Sequence, residues 1–503
     1  MSGTSAAVLL ICAIKLVTHL IAGRHYGYFV DELSYLACSR HLDWGYVDQP
    51  PLVALLTWLI RAVLGDSLSA IRFLPALAGT AEVALSAVLA REMGGRQFAQ
   101  ILAAVATLVA PGILATNNLL SMNAFEPLFW MGCAWILIRL IKTGDQRLWL
   151  WFALVAGFGL QNKYSMLIFG VGIVAGMLLT PLRVSLTSRW IWIGAALVFL
   201  IFLPNLWWNI QHHFPFLELQ ANIRQSGRDV PLSPLAFFSE EVLTMHPLTL
   251  PLWLTGLWFY FRAPLGKPFR ALGWAWVFTA LVIVTLSPRV YYLFPAFPLL
   301  FAGGAVLWET RFDQWSWWWK PAVPVIWIVT GAVLAPLAIP ILPPESYAGY
   351  SKALHIEQPR VETHALGPLP QIFADQFGWE EMAATVAQVF YSLPPEVRAH
   401  TAIFGQNYGQ AGAIDLFGPK YGLPPAISGH QSYFLWGPRG YTGDSMIVMA
   451  GRQRDLESRF ATVRKAGHVE HPYSMPYEHF DVFYCQGLKR PLAEVWPSLK
   501  QWN

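Results

Sequence analysis

Eleven apolar stretches, each near the length that crosses a lipid bilayer, dominate this sequence. They run over 5–23, 68–90, 97–115, 121–141, 147–161, 164–182, 189–207, 239–261, 269–287, 290–308 and 322–342. A spanning helix needs about 20 apolar residues, since every backbone polar group must be satisfied inside the helix across ~30 Å of hydrocarbon. The stretch at 147–161 is short, and the break after it, "QNKY", is polar. Segment 52–64 is also apolar but short, and it follows Pro50-Pro51, which fits a re-entrant or interfacial helix.

The charges between the stretches give the same alternation. With the N-terminus in the cytoplasm, the inside loops carry Arg91 and Arg96; Arg139, Lys142 and Arg147; Arg183 and Arg189; Arg262, Lys267 and Arg270; Arg311 and Lys320. The short outside loops are nearly free of cations: "TNNLLSMN" has none, "QNKY" has Lys163 and "SPRVYY" has Arg289. That is the positive-inside pattern, and an odd number of spans puts the C-terminal segment outside. The first stretch has no Lys or Arg before it and no A-x-A site after it, so it is expected to be a retained helix.

Composition agrees with a multi-spanning membrane protein. Of 503 residues, 55% are hydrophobic and only 13% charged, and the mean hydropathy is +0.42. The 24 Trp and 18 Tyr suit interfacial belts. A net charge of +4 without a basic run gives no nucleic-acid signal. Cys12 and Cys133 fall in apolar stretches, whereas Cys38 and Cys485 lie outside them; whether these two pair is left open.

From about 343 to 503 the chain is less apolar and richer in Gly, Pro and His. "WEEMAATVAQVFYSL" and "YGQAGAIDLFG" have helical spacing, the second ending at Gly418 before Pro419. "HTAIFG", "SMIVMA" and "DVFYC" read as short buried strands. Strands alternating with helices predict a soluble C-terminal α/β domain at 343–503, after a membrane domain at 1–342 whose first outside loop is about 24–68.

That loop contains "FVDELSYLACSRHLDWGYVDQPPL", with Asp31, Glu32, Asp43 and Asp48 in a chain poor in charge. A carboxylate at the membrane surface stays ionised, so it can take a proton or hold a cation. The bland reading is a solvated loop with Asp31 capping a helix "ELSYLACS". His212-His213 and "HVEHPYSMPYEHF" invite a metal reading, but adjacent side chains point apart and no third ligand is spaced for one. The loop carrying the His pair is expected to be a flexible lid or an acceptor-binding loop. Lys15, inside the first stretch, has no assigned role.

The Asp-Glu pair, Tyr35 four residues after Asp31, and "GYVDQPPL" together resemble the first outside loop of GT-C glycosyltransferases, in particular glycosyltransferase family 39 and the aminoarabinose transferases. "RFLPALAGTAEVALSAVLAREMGG", "GFGLQNKYSMLIFG" and "SPRVYYLFPAFPLLFAGGA" resemble further stretches of that family, so the likeness covers about 5–310. It implies a GT-C fold of about eleven spans in a bacterial inner membrane. The implied reaction moves a sugar from a polyprenyl-phosphate donor to a hydroxyl of a protein, lipid or glycan acceptor, outside the membrane and with inversion. By the same resemblance Asp31 is the general base, and Glu32 orients the acceptor or tunes Asp31. Asp48 braces the loop or the acceptor, as do Tyr35 and Glu126. Glu126 stands in "SMNAFEPLFW" where relatives show Asp before Pro, and helix-start placement is its alternative. Lys163 and Arg289, with Tyr291 and Tyr292, would hold the lipid phosphate, against snorkelling and belt roles. No nucleotide motif is visible and no cofactor is required, although acids and a phosphate could share a divalent cation.

Two other classes stay open. A transporter or flippase also hides charges among helices, yet such proteins often have duplicated halves, which this sequence lacks. A membrane scaffold leaves the Asp-Glu pair, Lys163 and Arg289 without a role.

Overall fold

The computed structural model describes residues 3–286, 289–312, 318–358 and 360–503. Ser287 and Pro288, which end the ninth predicted span and open "SPRVYY", lie outside the described residues. The chain divides into two compact units. The first comprises 1–25, 64–208 and 231–341; the second comprises 26–63, 209–230 and 342–503.

The first unit is helical. Among the described residues, six helices are long and apolar enough to cross a membrane, or up to eight if each bent pair counts as one span. The six are Leu68–Glu92, Met122–Thr143, Arg189–Gln211, Pro264–Leu286, Val290–Phe312 and Trp319–Leu337. The bent pairs are Gln97–Val109 with Pro111–Asn117, at 66°, and Met166–Leu178 with Pro181–Thr187, at 105°. Both bends fall at a proline, which has no amide to continue the ladder and clashes with the preceding turn. Ala6–Ala22 and Leu148–Asn162 are shorter apolar helices. Ten of the eleven predicted stretches thus coincide with a helix or a bent pair. The exception is 239–261, which is split into Pro234–Thr244 and Leu250–Arg262 by a 3-10 turn at Pro247–Thr249. Pro247 again removes an amide, and His246 before it takes a left-handed φ of 71°.

Close helix packing explains the small residues. Leu250–Arg262 lies against Phe297–Phe312, and a Cβ on Gly256 would strike the Leu300 carbonyl while one on Gly304 would strike that of Leu252. Each helix thus offers a glycine to the other's backbone, as membrane helices do when packing replaces the hydrophobic effect. The outer surface is apolar, with Trp192, Leu200 and Trp207 exposed along the helix at 189–211. Inside the bundle Lys15 and Glu82 are fully buried and within electrostatic reach of one another, and Asn117 Nδ2 donates to Glu82 Oε1 at 2.9 Å.

The second unit contains a five-stranded sheet: β1 (Ala402–Gly405), β2 (Ile427–Ser428), β3 (Ser445–Met449), β4 (Phe460–Val469) and β5 (Phe480–Leu488), in the order β2-β1-β3-β5-β4. β1 is parallel to β2 and β3, whereas β5 is antiparallel to β3 and β4. The three strands expected from sequence are β1, β3 and β5. The edge strand β4 was not expected, because "FATVRKAGHV" is mostly exposed and has no apolar run. The two expected helices are Trp379–Tyr391 and Tyr408–Phe417.

This unit also takes in segments read from sequence as loops. Residues 30–40 form a helix whose Leu33 and Ala37 join the core of Ala411, Ile414 and Val386. The His212-His213 loop holds a helix, Pro215–Ser226, whose Leu219 and Ile223 pack with Val47 and Trp502. Lys500 pairs with Glu218 at 2.7 Å, and Asn222 Nδ2 donates to the Trp502 carbonyl at 2.6 Å. All four cysteines are buried free thiols, so Cys38 and Cys485 are unbridged.

Candidate active site

The loop acids lie in the second unit. The helix that carries them runs Val30–Arg40 with Phe29 at its N-cap, so Asp31 sits inside the first turn instead of capping it. Carboxylates there are favoured by the unpaired amides and the positive end of the helix. The two adjacent acids diverge. Glu32 is fully buried and its Oε2 accepts the Phe29 amide at 2.9 Å, the back-reaching half of a capping box. Asp31 is partly buried, and its Oδ1 accepts the Tyr408 hydroxyl at 2.6 Å. Tyr35 follows one turn later and is buried.

Asp48 follows Tyr46 and Val47, which anchor its loop. The Tyr46 hydroxyl donates to the carbonyls of Cys38 and His41, and the Val47 amide donates to Ser432 Oγ at 3.3 Å. Burial, and then the charge of nearby Asp31, push the Asp48 carboxyl up to about 7.

Two further acids of this unit lie close by and carried no mark in the sequence. Asp375 is buried and accepts the Tyr477 hydroxyl at 2.7 Å. Burial pushes its carboxyl up to about 8; the Tyr477 bond works against that rise, while Glu478 and Asp31 add to it. Glu478 is buried and takes Asn407 Nδ2 at 2.9 Å and Gln410 Nε2 at 3.0 Å, yet burial still pushes it up to about 7. Glu478 and Tyr477 belong to the "HVEHPYSMPYEHF" stretch, whose histidines drew attention instead. Only Tyr477 beside an acidic "YEH" hints at a buried pair, and Asp375 in "FADQFGWE" has no distinguishing neighbour. Among the described residues no group of three or more His, Cys, Asp or Glu side chains is arranged to hold a metal ion, so the acids do not form a metal site by themselves.

The other predicted residues lie in the first unit and form one group. Glu126 is buried one residue before Pro127 in the helix Met122–Thr143. Lys163 Nζ lies 2.8 Å from Glu126 Oε2 and donates to Asn123 Oδ1 at 2.7 Å, while Ser165 Oγ donates to the other Glu126 oxygen. Lys163 also stands over the rings of Tyr292 and Tyr291, at 4.4 and 5.3 Å from their centroids. Those rings stack at 4.7 Å, and Arg289 lies within electrostatic reach of Tyr292. The group is thus a buried ion pair walled by two tyrosines with a guanidinium nearby. Two donors of Lys163 are already engaged, which the sequence could not reveal.

Residues 48–208 match a family model described as dolichyl-phosphate-mannose-protein mannosyltransferase. Over 255 residues the chain is 28% identical to the lipid A galacturonosyltransferase RgtD of Rhizobium johnstonii, a match covering 48% of this chain and 50% of that one. The chain therefore spans about half the length of that curated relative. Crystal structures of ArnT from Cupriavidus metallidurans superpose at TM-scores of 0.62, bound to undecaprenyl phosphate, and 0.64, in the apo state. Identity is 15%, and the match covers 96% of this chain and 98% of ArnT. The chain has the fold of ArnT, the GT-C fold. An Archaeoglobus fulgidus oligosaccharyltransferase superposes more loosely, with a TM-score of 0.51 and 10% identity over 83% of this chain and 64% of that one. The GT-C resemblance drawn from the first outside loop therefore agrees with both the family match at 48–208 and the fold.

Proposed function

We propose that this protein is a membrane glycosyltransferase that moves a sugar from a polyprenyl phosphate to an acceptor hydroxyl on the extracytoplasmic side of a bacterial inner membrane. The N-terminus would be cytoplasmic and the C-terminal segment outside, which the alternation of cations supports. In this reading Asp31 takes the acceptor proton. The acceptor oxygen bonds to the anomeric carbon as the bond from that carbon to the phosphate oxygen breaks. The polyprenyl phosphate leaves with the electron pair, and attack opposite the leaving group inverts the centre.

The observation that carries the reading is that Asp31, in the first turn of the helix Val30–Arg40, lies within electrostatic reach of Asp48. The neighbour's carboxyl is held up to about 7, so it can keep its proton near neutrality while Asp31 serves as the acceptor of a second one. The fold likeness to ArnT, one of whose crystal structures is bound to undecaprenyl phosphate, supports a lipid-phosphate donor. Arg289, the Lys163–Glu126 pair and Tyr291–Tyr292 offer cation and hydroxyl partners for the phosphate. The acceptor can be a lipid, a protein or a glycan; RgtD, by name, acts on lipid A. A divalent cation, if used, would need oxygens from the substrate itself.

A transporter reading draws on one observation, the buried Lys15 and Glu82 inside the helical unit. The two are separated by giving the purified protein a panel of undecaprenyl-phosphate-linked sugars together with lipid A. Acceptor-dependent release of undecaprenyl phosphate supports transfer. Movement of intact donor across vesicles, without release, supports transport.

A further inference from the structure

We propose that Tyr408, from the C-terminal segment, is the positioning residue of the Asp31 carboxylate; this rests on the reading of Asp31 as base. Tyr408 begins the helix Tyr408–Phe417, which packs on the helix Val30–Arg40 through glycines. A Cβ on Gly409 would strike Val30, and one on Gly412 would press on the Leu33 carbonyl. Only backbones this close bring the Tyr408 hydroxyl to 2.6 Å from Asp31 Oδ1. A base must be held at a fixed angle to its substrate, and a donor on Oδ1 fixes the plane of the carboxylate.

Tyr408 is itself held on two sides. Asn407 caps its helix by accepting the Gln410 amide at 2.8 Å, and the Asn407 amide group is tied to Glu478. On the other side the Tyr408 ring stacks on His430, at 5.0 Å between centroids and 13° between planes. The Tyr408 amide donates to His430 Nδ1 at 3.1 Å, so the neutral ring carries its proton on Nε2. The chain of contacts runs from His430 through Tyr408 to Asp31, and the sheet-bearing part of the unit thereby sets the geometry of a residue 377 positions earlier.

Other titratable groups acting on or touching this pair include Asp48, Asp375, Tyr35 and His430. All of them remain in Tyr408→Phe, so a change in the behaviour of Asp31 in that variant reports the hydroxyl. A donor on a carboxylate favours its ionised form. The test uses the full chain in detergent and needs no substrate: carbodiimide labelling of Asp31 across pH, read by peptide mass spectrometry, since only the protonated carboxyl reacts. Tyr408→Phe should move the labelling midpoint up by about one pH unit. Tyr391→Phe, an exposed tyrosine bonded to the Tyr421 carbonyl, should leave it in place. In the undecaprenyl-phosphate release assay Tyr408→Phe should lower kcat about tenfold or more with little change in KM.

An unchanged midpoint in folded Tyr408→Phe overturns the inference. If Tyr408→Phe fails to fold, Tyr408→Trp, which keeps a stacking ring and loses the hydroxyl, takes its place under the same criterion. If Asp31→Asn turns over normally, the base assignment fails. If Asp31→Asn is inactive and Tyr408→Phe has both wild-type kcat and midpoint, only the role of Tyr408 fails.

Discussion

Lys163 Nζ stands 2.8 Å from Glu126 Oε2, and both side chains are almost completely buried in the helical unit. The cation that sequence reading set aside for a lipid phosphate therefore has a partner in the free protein. Asn123 and Ser165 complete the pair's hydrogen bonds. Removing one member of a buried pair strands the other, at a cost of about 3–5 kcal/mol. Glu126→Ala should lower the Tm in detergent by many degrees. The double variant Glu126→Gln with Lys163→Met should recover much of it; a double variant as unstable as Glu126→Ala would mean the pair is not the cause.

If the pair absorbs most of the Lys163 charge, phosphate binding leans on Arg289. Arg289→Ala should weaken binding of undecaprenyl phosphate, read by native mass spectrometry, by about tenfold, which is ~1.4 kcal/mol. Binding of lipid A should change far less. Equal losses for both would argue against a phosphate role.

Glu309 plays a structural part that activity should not notice. Its carboxylate accepts the amides of Arg96, Phe98 and Ala99 at 2.6, 2.8 and 3.1 Å, closing the start of the helix Gln97–Val109 from the helix Phe297–Phe312. Glu309→Ala should destabilise by about 1–3 kcal/mol, the cost of orphaned buried donors, while turnover per folded molecule stays at the wild-type level. A selective loss of turnover without loss of Tm would place Glu309 elsewhere in the mechanism.

The buried acids of the second unit give stability a pH dependence. Asp375 is held at about 8 and Glu478 at about 7, both well above an ordinary carboxyl. A raised folded value means the folded state binds a proton more tightly than the unfolded one. The stability so gained is complete below about pH 4 and is lost as pH rises through 7 to 8. Asp375→Asn keeps an acceptor for the Tyr477 hydroxyl and removes the charge. Its Tm should exceed the wild-type value by several degrees at pH 9 and fall closer to it at pH 5. A Tm difference that is flat across that range would contradict the assignment.

How much of this was legible in the sequence depends on the range of the interaction. Apolar helices announce themselves through local composition: ten of the eleven stretches coincide with a helix or a bent pair, and among the described residues six to eight of these are long and apolar enough to cross a membrane. The stretch at 239–261 misled because its apolar residues continue across Pro247, whereas the backbone does not. β4 was missed because an edge strand carrying Arg464, Lys465 and His468 has no periodic apolar face. The Asp31–Glu32 pair drew attention through its surrounding pattern, but only the folded chain separates a carboxylate that accepts the Tyr408 hydroxyl from one bonded to the Phe29 amide. Tyr408 and Asp375 were beyond reach, since each meets Asp31 over hundreds of residues and no local spacing encodes that, and Glu478 meets Asn407, Gln410 and Asp375 at similarly unmarked distances along the chain.

The most direct test of the account is release of undecaprenyl phosphate by wild type and Asp31→Asn, assayed together on the panel of undecaprenyl-phosphate-linked sugars with lipid A. Asn keeps the size and one acceptor oxygen and loses the basic one, so the variant should fold, retain donor binding and lose turnover by about 100-fold or more. Turnover of Asp31→Asn within a few-fold of wild type on a donor the protein consumes, or no Asp31-dependent release from any donor, would contradict it.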